Sequence, residues 1–243
     1  MTPTASGPWT FTQIYAFQNG RDGTDPQAIA IDAAGNIDGT SYIGLFHHGL
    51  VFQLKRAAGG TYSFNTLHKF PNQGGSDGEY PQGKIVLDPQ GNLYGTASFG
   101  GSKLYGIVYQ LVPGADGTWT ENILHNFANG SDGATPYNGV TLDRQGNLFG
   151  STYYGGGLGQ CADRSQTCGT VFKLAPDGQG GWTETILHAF AGFKHDGSYA
   201  NSAPILDPAG VLYGTTAYGG GAGDCRTDPT FNSYCGIVYS LQP

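Results

Sequence analysis

The sequence predicts an all-β protein, a four-bladed β-propeller, on three observations. One short run recurs four times at a period of about 55–64 residues. Each recurrence carries four strand-like segments. The fourth segment of the last recurrence is missing at the C-terminus and stands at the N-terminus instead. That permutation is expected when a ring closes by pairing its first strand into its last blade, which leaves only short outer edges.

The recurring run is Asp32 to Thr40, then Asp88 to Thr96, Asp143 to Ser151 and Asp207 to Thr215. Its Asp-x-x-Gly-Asn part reads as a tight hairpin turn, with Gly supplying positive φ. The strand before it ends at Asp32, Asp88, Asp143 or Asp207 and begins near Ala28, Lys84, Gly139 or Ala203. The strand after the turn carries Leu-Tyr-Gly-Thr or a close variant, and its Gly marks a bulge or a close backbone approach. The third strand is Leu50 to Leu54, Ile107 to Leu111, Thr170 to Leu174 and Ile237 to Leu241. The fourth runs from Tyr62 to Phe70, Trp119 to Phe127 and Trp182 to Phe190, with the displaced copy from Trp9 to Phe17. The units are therefore 18–70, 71–127, 128–190 and 191–243 plus 9–17, in one domain.

Composition agrees with many turns joining many strands. Of 243 residues 42 are Gly and 13 Pro, yet 38% are hydrophobic and 13% aromatic, enough for a sizeable core. No apolar run reaches the length of a membrane-spanning helix. With a net charge of −7 and 11 scattered basic residues, the chain lacks the basic face that nucleic acid requires. An uncharged or weakly charged glycan is the expected partner, and a monomer the expected state. Cys161 with Cys168 and Cys225 with Cys235 form two close pairs without His at zinc spacing. They are expected to be local disulfides in an oxidising compartment, with free cytosolic thiols as the alternative. The opening Met1 to Gly7 reads as a start left after signal removal.

The Leu-Tyr-Gly-Thr run, the Gly pairs at Gly100-Gly101, Gly155-Gly156 and Gly219-Gly220, and the Gly-x-Val-Phe/Tyr-x-Leu strand together resemble the tandem GloVer repeats. The resemblance covers nearly the whole chain. It implies a propeller-type fold in a secreted or surface-anchored bacterial protein, and it brings no catalytic residues. The first unit departs from it with Asp38 for the aromatic and Leu45 for the second Gly, and the last unit with Val211 for the turn Asn.

Function in such a fold is expected in the loops at one face. Asp22, Asp77, Asp132 and Asp196 recur before Gly in one loop set. They either fold their own turns or, as a ring of carboxylates, hold Ca²⁺ in or near the channel. His68, His125 and His188 align with Tyr15, which favours a hydrogen-bonding role over metal ligation. Tyr153, Tyr154 and Tyr218, with Asp163, Arg164, Asp224 and Arg226 of the cysteine-bearing loops, form a candidate glycan surface, since aromatic faces stack on sugars. Phe99 reads as packing between blades.

Residues that break the repeat are candidates for catalysis. Asp38 replaces an aromatic in a strand packed on both faces, where a carboxylate is costly. His47 and His48 occur in this unit alone, and an Asp orienting a His sets a general base; the alternative is a worn repeat in which Asp38 meets a water or a backbone amide. Lys84 stands among small residues on the innermost strand, where it either binds a carboxylated ligand or balances the aspartates. The expectation is a glycan-binding propeller; if it is an enzyme, the chemistry is that of a carbohydrate hydrolase or lyase. A protein-interaction or cell-surface structural module is the alternative.

Overall fold

The computed structural model describes residues 9–18, 20–44, 48–71, 75–157, 167–192, 196–220 and 235–243. Among them are sixteen strands and no helix. The first sheet is β1 (Thr24–Ile31), β2 (Ile37–Ile43), β3 (Leu50–Arg56) and β4 (Tyr62–Lys69), all antiparallel neighbours in chain order. The second repeats this with β5 (Gly78–Leu87), β6 (Leu93–Gly100), β7 (Ile107–Pro113) and β8 (Trp119–Asn126). The third is β9 (Val140–Leu142), β10 (Leu148–Thr152), β11 (Thr170–Pro176) and β12 (Trp182–Ala189). In the fourth, β13 (Ser198–Ala200) and β14 (Ile205–Leu206) share one side of β15 (Leu212–Tyr218), and β16 (Val238–Leu241) takes the other. This is a β-propeller-like repeat fold.

The recurring Asp makes each inner turn. Asp88 Oδ1 accepts from the backbone N–H of Gln90 and Asn92, and its Oδ2 accepts from Asn92 Nδ2. Gly91 between them takes φ +85°, the left-handed region that favours glycine. At Asp207 the Asn is Val211, so the Asn side-chain bond is lost while the backbone bonds and a bond from the Tyr213 hydroxyl remain.

The Gly of the Tyr-Gly-Thr run answers a different need. A Cβ at Gly95 would collide with the Tyr109 ring of the neighbouring strand, and Gly39, Gly150 and Gly214 meet Phe52, Phe172 and Tyr239 in the same way. It is a close approach of side chain to backbone, and in the second sheet the register slip between Gln82 and Val86 of β5 also falls opposite Gly95.

The core lies between successive sheets. Phe70 ends the first sheet and is buried with Ile85, Leu93, Ile107 and Tyr109 of the second. Phe127 is buried with Leu148 and Phe172, and Phe190 with Tyr199 and Ala200. Full burial of each ring contributes about 2–3 kcal/mol.

At the N-terminus the expected strand is absent. Residues 9–18 form no strand, and β16 is recorded in pairing with β15 alone. Tyr15 and Phe17 instead pack on the first sheet, against the cluster of Ile37, Leu50, Phe52 and Leu54. Trp9 and Phe11 remain exposed (99% and 92%), as does Val238 on β16 (79%).

Candidate functional site

Antiparallel order brings the loop before each first strand and the loop after each second strand to one end of the sheet. The pairs Thr24 with Ile43, Gly78 with Gly100 and Ser198 with Tyr218 show this end. Two arrangements are built there.

The first lies at the junctions between sheets. The register of β3 and β4 slips between Val51 and Phe52, leaving Leu67 as an extra residue, and the slip recurs at Leu124 and Leu187. Each bulge turns the following His out of the alternation, towards the next loop. His68 Nε2 lies 3.2 Å from Asp77 Oδ2 and 3.8 Å from Glu121 Oε1. His125 Nε2 lies 3.6 Å from Asp132 Oδ2 and 3.5 Å from Glu184 Oε1. His188 Nε2 lies 2.8 Å from Asp196 Oδ1, and Tyr15 donates to Asp22 Oδ2 at 2.9 Å.

The four repeated aspartates thus sit apart, Asp77, Asp132 and Asp196 each beside its own His at a junction between sheets and Asp22 beside Tyr15 of the N-terminal segment. Asp22, Asp132 and Asp196 also accept from backbone N–H groups of their own loops, and Asp77 from the N–H of Gly78. They do not converge as a ring.

Glu121 and Glu184 alternate with Trp119 and Ile123, and with Trp182 and Ile186, on strand faces turned to the preceding sheet. Burial pushes each carboxyl up to about 8. Burial also holds His125 below its usual value. At His68 burial is outweighed by the Asp77 hydrogen bond and the Glu121 charge, which hold it above. Reading the sequence by loops missed both glutamates; the signal was a carboxylate inside an aromatic-x-Glu-x-Ile stripe.

The second arrangement is a band of aromatic rings. Tyr42 meets Tyr80 at 5.0 Å, Tyr80 meets Phe99 at 5.9 Å, and Phe99 meets Tyr137 at 6.5 Å. Tyr137 meets Tyr153 at 5.3 Å, and Tyr153 stacks on Tyr199 at 4.7 Å, which meets Tyr218 at 5.8 Å. Tyr154 packs edge-on to Tyr153 and Tyr199. The band therefore unites the expected Tyr153, Tyr154 and Tyr218 with Tyr42, Tyr80, Tyr137 and Tyr199, which sequence reasoning did not single out. Tyr80 and Tyr199 could have been found, since each stands three residues after its repeated Asp. Both adopt left-handed φ (60° and 58°), as do Asp25 and Thr135 at the matching positions. Such strain costs about 1–3 kcal/mol per residue and concentrates at functional surfaces.

Asp38 and His48 are not brought together. Asp38 pairs across β3 with Gln53, five residues from His48, which is about 17 Å of strand. Its Oδ1 accepts from Gln53 Nε2 at 2.9 Å, its Oδ2 has no partner, and burial pushes the carboxyl up to about 6. His48 instead stacks on Tyr80 at 4.7 Å, with Nδ1 3.0 Å from Glu79 Oε2. His47 lies outside the described residues. Lys84 Nζ donates to Thr141 Oγ1 at 3.1 Å, a tie between inner strands, and burial lowers its pKa.

Asp163, Arg164, Asp224, Arg226, Cys161 and Cys225 also lie outside the described residues, so the two cysteine pairings do too. Cys168 is buried, and no cysteine among the described residues is free. At the opposite end of the sheets a cavity of about 950 Å³ opens between the turns at Asp88, Asp143 and Asp207. The carboxylates of its wall are taken up by those turns.

The pattern of the Gloeobacter/Verrucomicrobia repeat matches residues 1–227. No curated protein matches the chain. Among solved structures, a catalytically inactive virginiamycin B lyase from Staphylococcus aureus is similar at 13% identity and TM-score 0.46, covering 80% of this chain and 50% of its own. The PQQ domain of pyranose dehydrogenase from Coprinopsis cinerea is similar at 15% and 0.45, covering 81% and 44%. Inulosucrase from Halalkalicoccus jeotgali, bound to kestose, is similar at 14% and 0.47, covering 95% and 67%. The chain spans about half the length of the first two.

Proposed function

Because the chain belongs to the Gloeobacter/Verrucomicrobia repeat family, we propose that it is a secreted or cell-surface four-bladed propeller that binds an uncharged glycan at its loop-bearing end. The aromatic band from Tyr42 to Tyr218 carries this reading. In this run of seven rings Tyr199 is buried and backs its neighbours. The partly exposed Tyr42, Tyr80, Phe99, Tyr137, Tyr153 and Tyr218 offer apolar surface to sugar C–H groups, and Glu79 and His48 beside Tyr80 offer hydrogen bonds to hydroxyls. A net charge of −7 fits a neutral ligand better than an acidic one.

The same reading has Trp9 to Phe17 complete the fourth sheet beside β16. Pairing there would cover Trp9, Phe11 and Val238, large apolar groups otherwise in water. A glycan array with the intact protein, followed by product analysis on any hit, tests the function. Binding lost in Tyr153→Ala supports the band, and products support a hydrolase or lyase. Binding of no glycan overturns the proposal and leaves an interaction or structural module.

A further inference from the structure

We propose that the His68–Asp77–Glu121 junction is a binding site for a Zn²⁺-class divalent cation that staples the first sheet to the second; His125, Asp132 and Glu184 repeat the residue types one junction on, in a wider arrangement. The ligand atoms of His68, Asp77 and Glu121 all lie within 4.8 Å of one another. They come from three elements: the bulged end of β4, the loop before β5, and β8.

Hydrogen bonding alone leaves this geometry incomplete. Four His-to-carboxylate separations, 3.2, 3.8, 3.6 and 3.5 Å, span the two junctions. Three of them are too long for a hydrogen bond. Two ligands at about 2.0–2.2 Å from a tetrahedral ion stand roughly 3.3–3.6 Å apart, and these separations bracket that range. Glu121 Oε1, His125 Nε2 and Glu184 Oε1 are buried with no hydrogen-bond partner.

The repeat itself supplies an internal comparison. At the junction where Tyr15 stands for the imidazole, Phe64 stands for the glutamate, and the two rings stack at 5.1 Å. Both donors are exchanged together, and the N-terminal segment still packs on the first sheet there. The fold therefore does not require a His and a Glu at this place. One imidazole and two carboxylates suit Zn²⁺ better than Ca²⁺, which takes six to eight oxygens.

The test is titration of the full-length, chelator-stripped protein with Zn²⁺, read by calorimetry and by the melting temperature. One equivalent is expected, with a rise in melting temperature. Glu121→Gln should remove it, with far-UV circular dichroism unchanged, and Glu184→Gln should leave it in place. His188→Ala, at a junction without the glutamate, should leave the stoichiometry intact. Should the glutamine variants misfold, Ca²⁺ titration of the parent decides: failure of excess Ca²⁺ to displace Zn²⁺ is expected. Absence of Zn²⁺ binding at 100-fold excess, displacement by Ca²⁺, or full binding in the folded Glu121→Gln variant overturns the proposal.

Discussion

Phe17 packs edge-on against Phe52, ring centres 5.2 Å apart, and thereby repeats the relation of Phe70 to Tyr109, Phe127 to Phe172 and Phe190 to Tyr239. The N-terminal segment thus meets the first sheet as each fourth strand meets the sheet after it. It does so without pairing to β16.

Closure of the ring can be read from energies. Phe127→Ala should cost about 3–5 kcal/mol, since that ring is fully buried. Phe17→Ala should cost about half as much if its segment stays unpaired, and an equal amount if pairing with β16 completes the sheet. Urea unfolding of both variants measures the ratio. Deleting residues 1–17 should lower the melting temperature in either case, by uncovering Phe52 and Leu54.

Asp38 stands where Tyr94 stands in the second unit, and Tyr94 donates to Asp88 while accepting from Gln110. Asp38→Tyr should therefore be neutral or stabilising by up to about 2 kcal/mol, replacing a buried carboxylate with a ring that can donate to Asp32. A loss of more than 1 kcal/mol in thermal unfolding would show that the carboxylate is needed.

The same group has a definite pH signature. Its pKa is about 6 when folded, against about 3.9 unfolded, so between these values the folded state holds more protons. Its contribution to stability is present below pH 4 and lost as pH rises to 6. Asp38→Asn should therefore gain on the parent by up to about 3 kcal/mol across that window and run parallel to it above pH 7. Unfolding curves at pH 4, 5, 6 and 7.5 check the sign.

Gly95→Ala should destabilise by about 2–3 kcal/mol, because the new methyl collides with the Tyr109 ring in a filled core. Gly59→Ala meets open space but sits at φ +87°, and should cost about 1 kcal/mol. A reversed order in equilibrium unfolding would contradict the close approach.

On any glycan that binds, Tyr153→Ala and Tyr137→Ala should each weaken affinity about tenfold, the worth of one lost stacking contact. His188→Ala, away from the band, should leave affinity unchanged in the same calorimetric titration.

Repetition made the strands, their turns and their sheet membership legible in the sequence. Asp-x-x-Gly-Asn allows one local geometry, because Asp88 bonds backbone groups only two and four residues away. Tyr15, which replaces one of the repeated histidines, also meets the repeated Asp of the loop that follows it, so that this position faces that loop was legible by alignment. The tertiary structure alone decided what meets across a junction. Glu121 is 53 residues from His68, and only the packing of two sheets brings them together. The same holds for Tyr42 with Tyr80, and for the parting of Asp38 from His48. Local turns are determined by short-range bonding, whereas these contacts depend on bulges and sheet packing that redirect side chains by a residue, and no spacing along the chain records that.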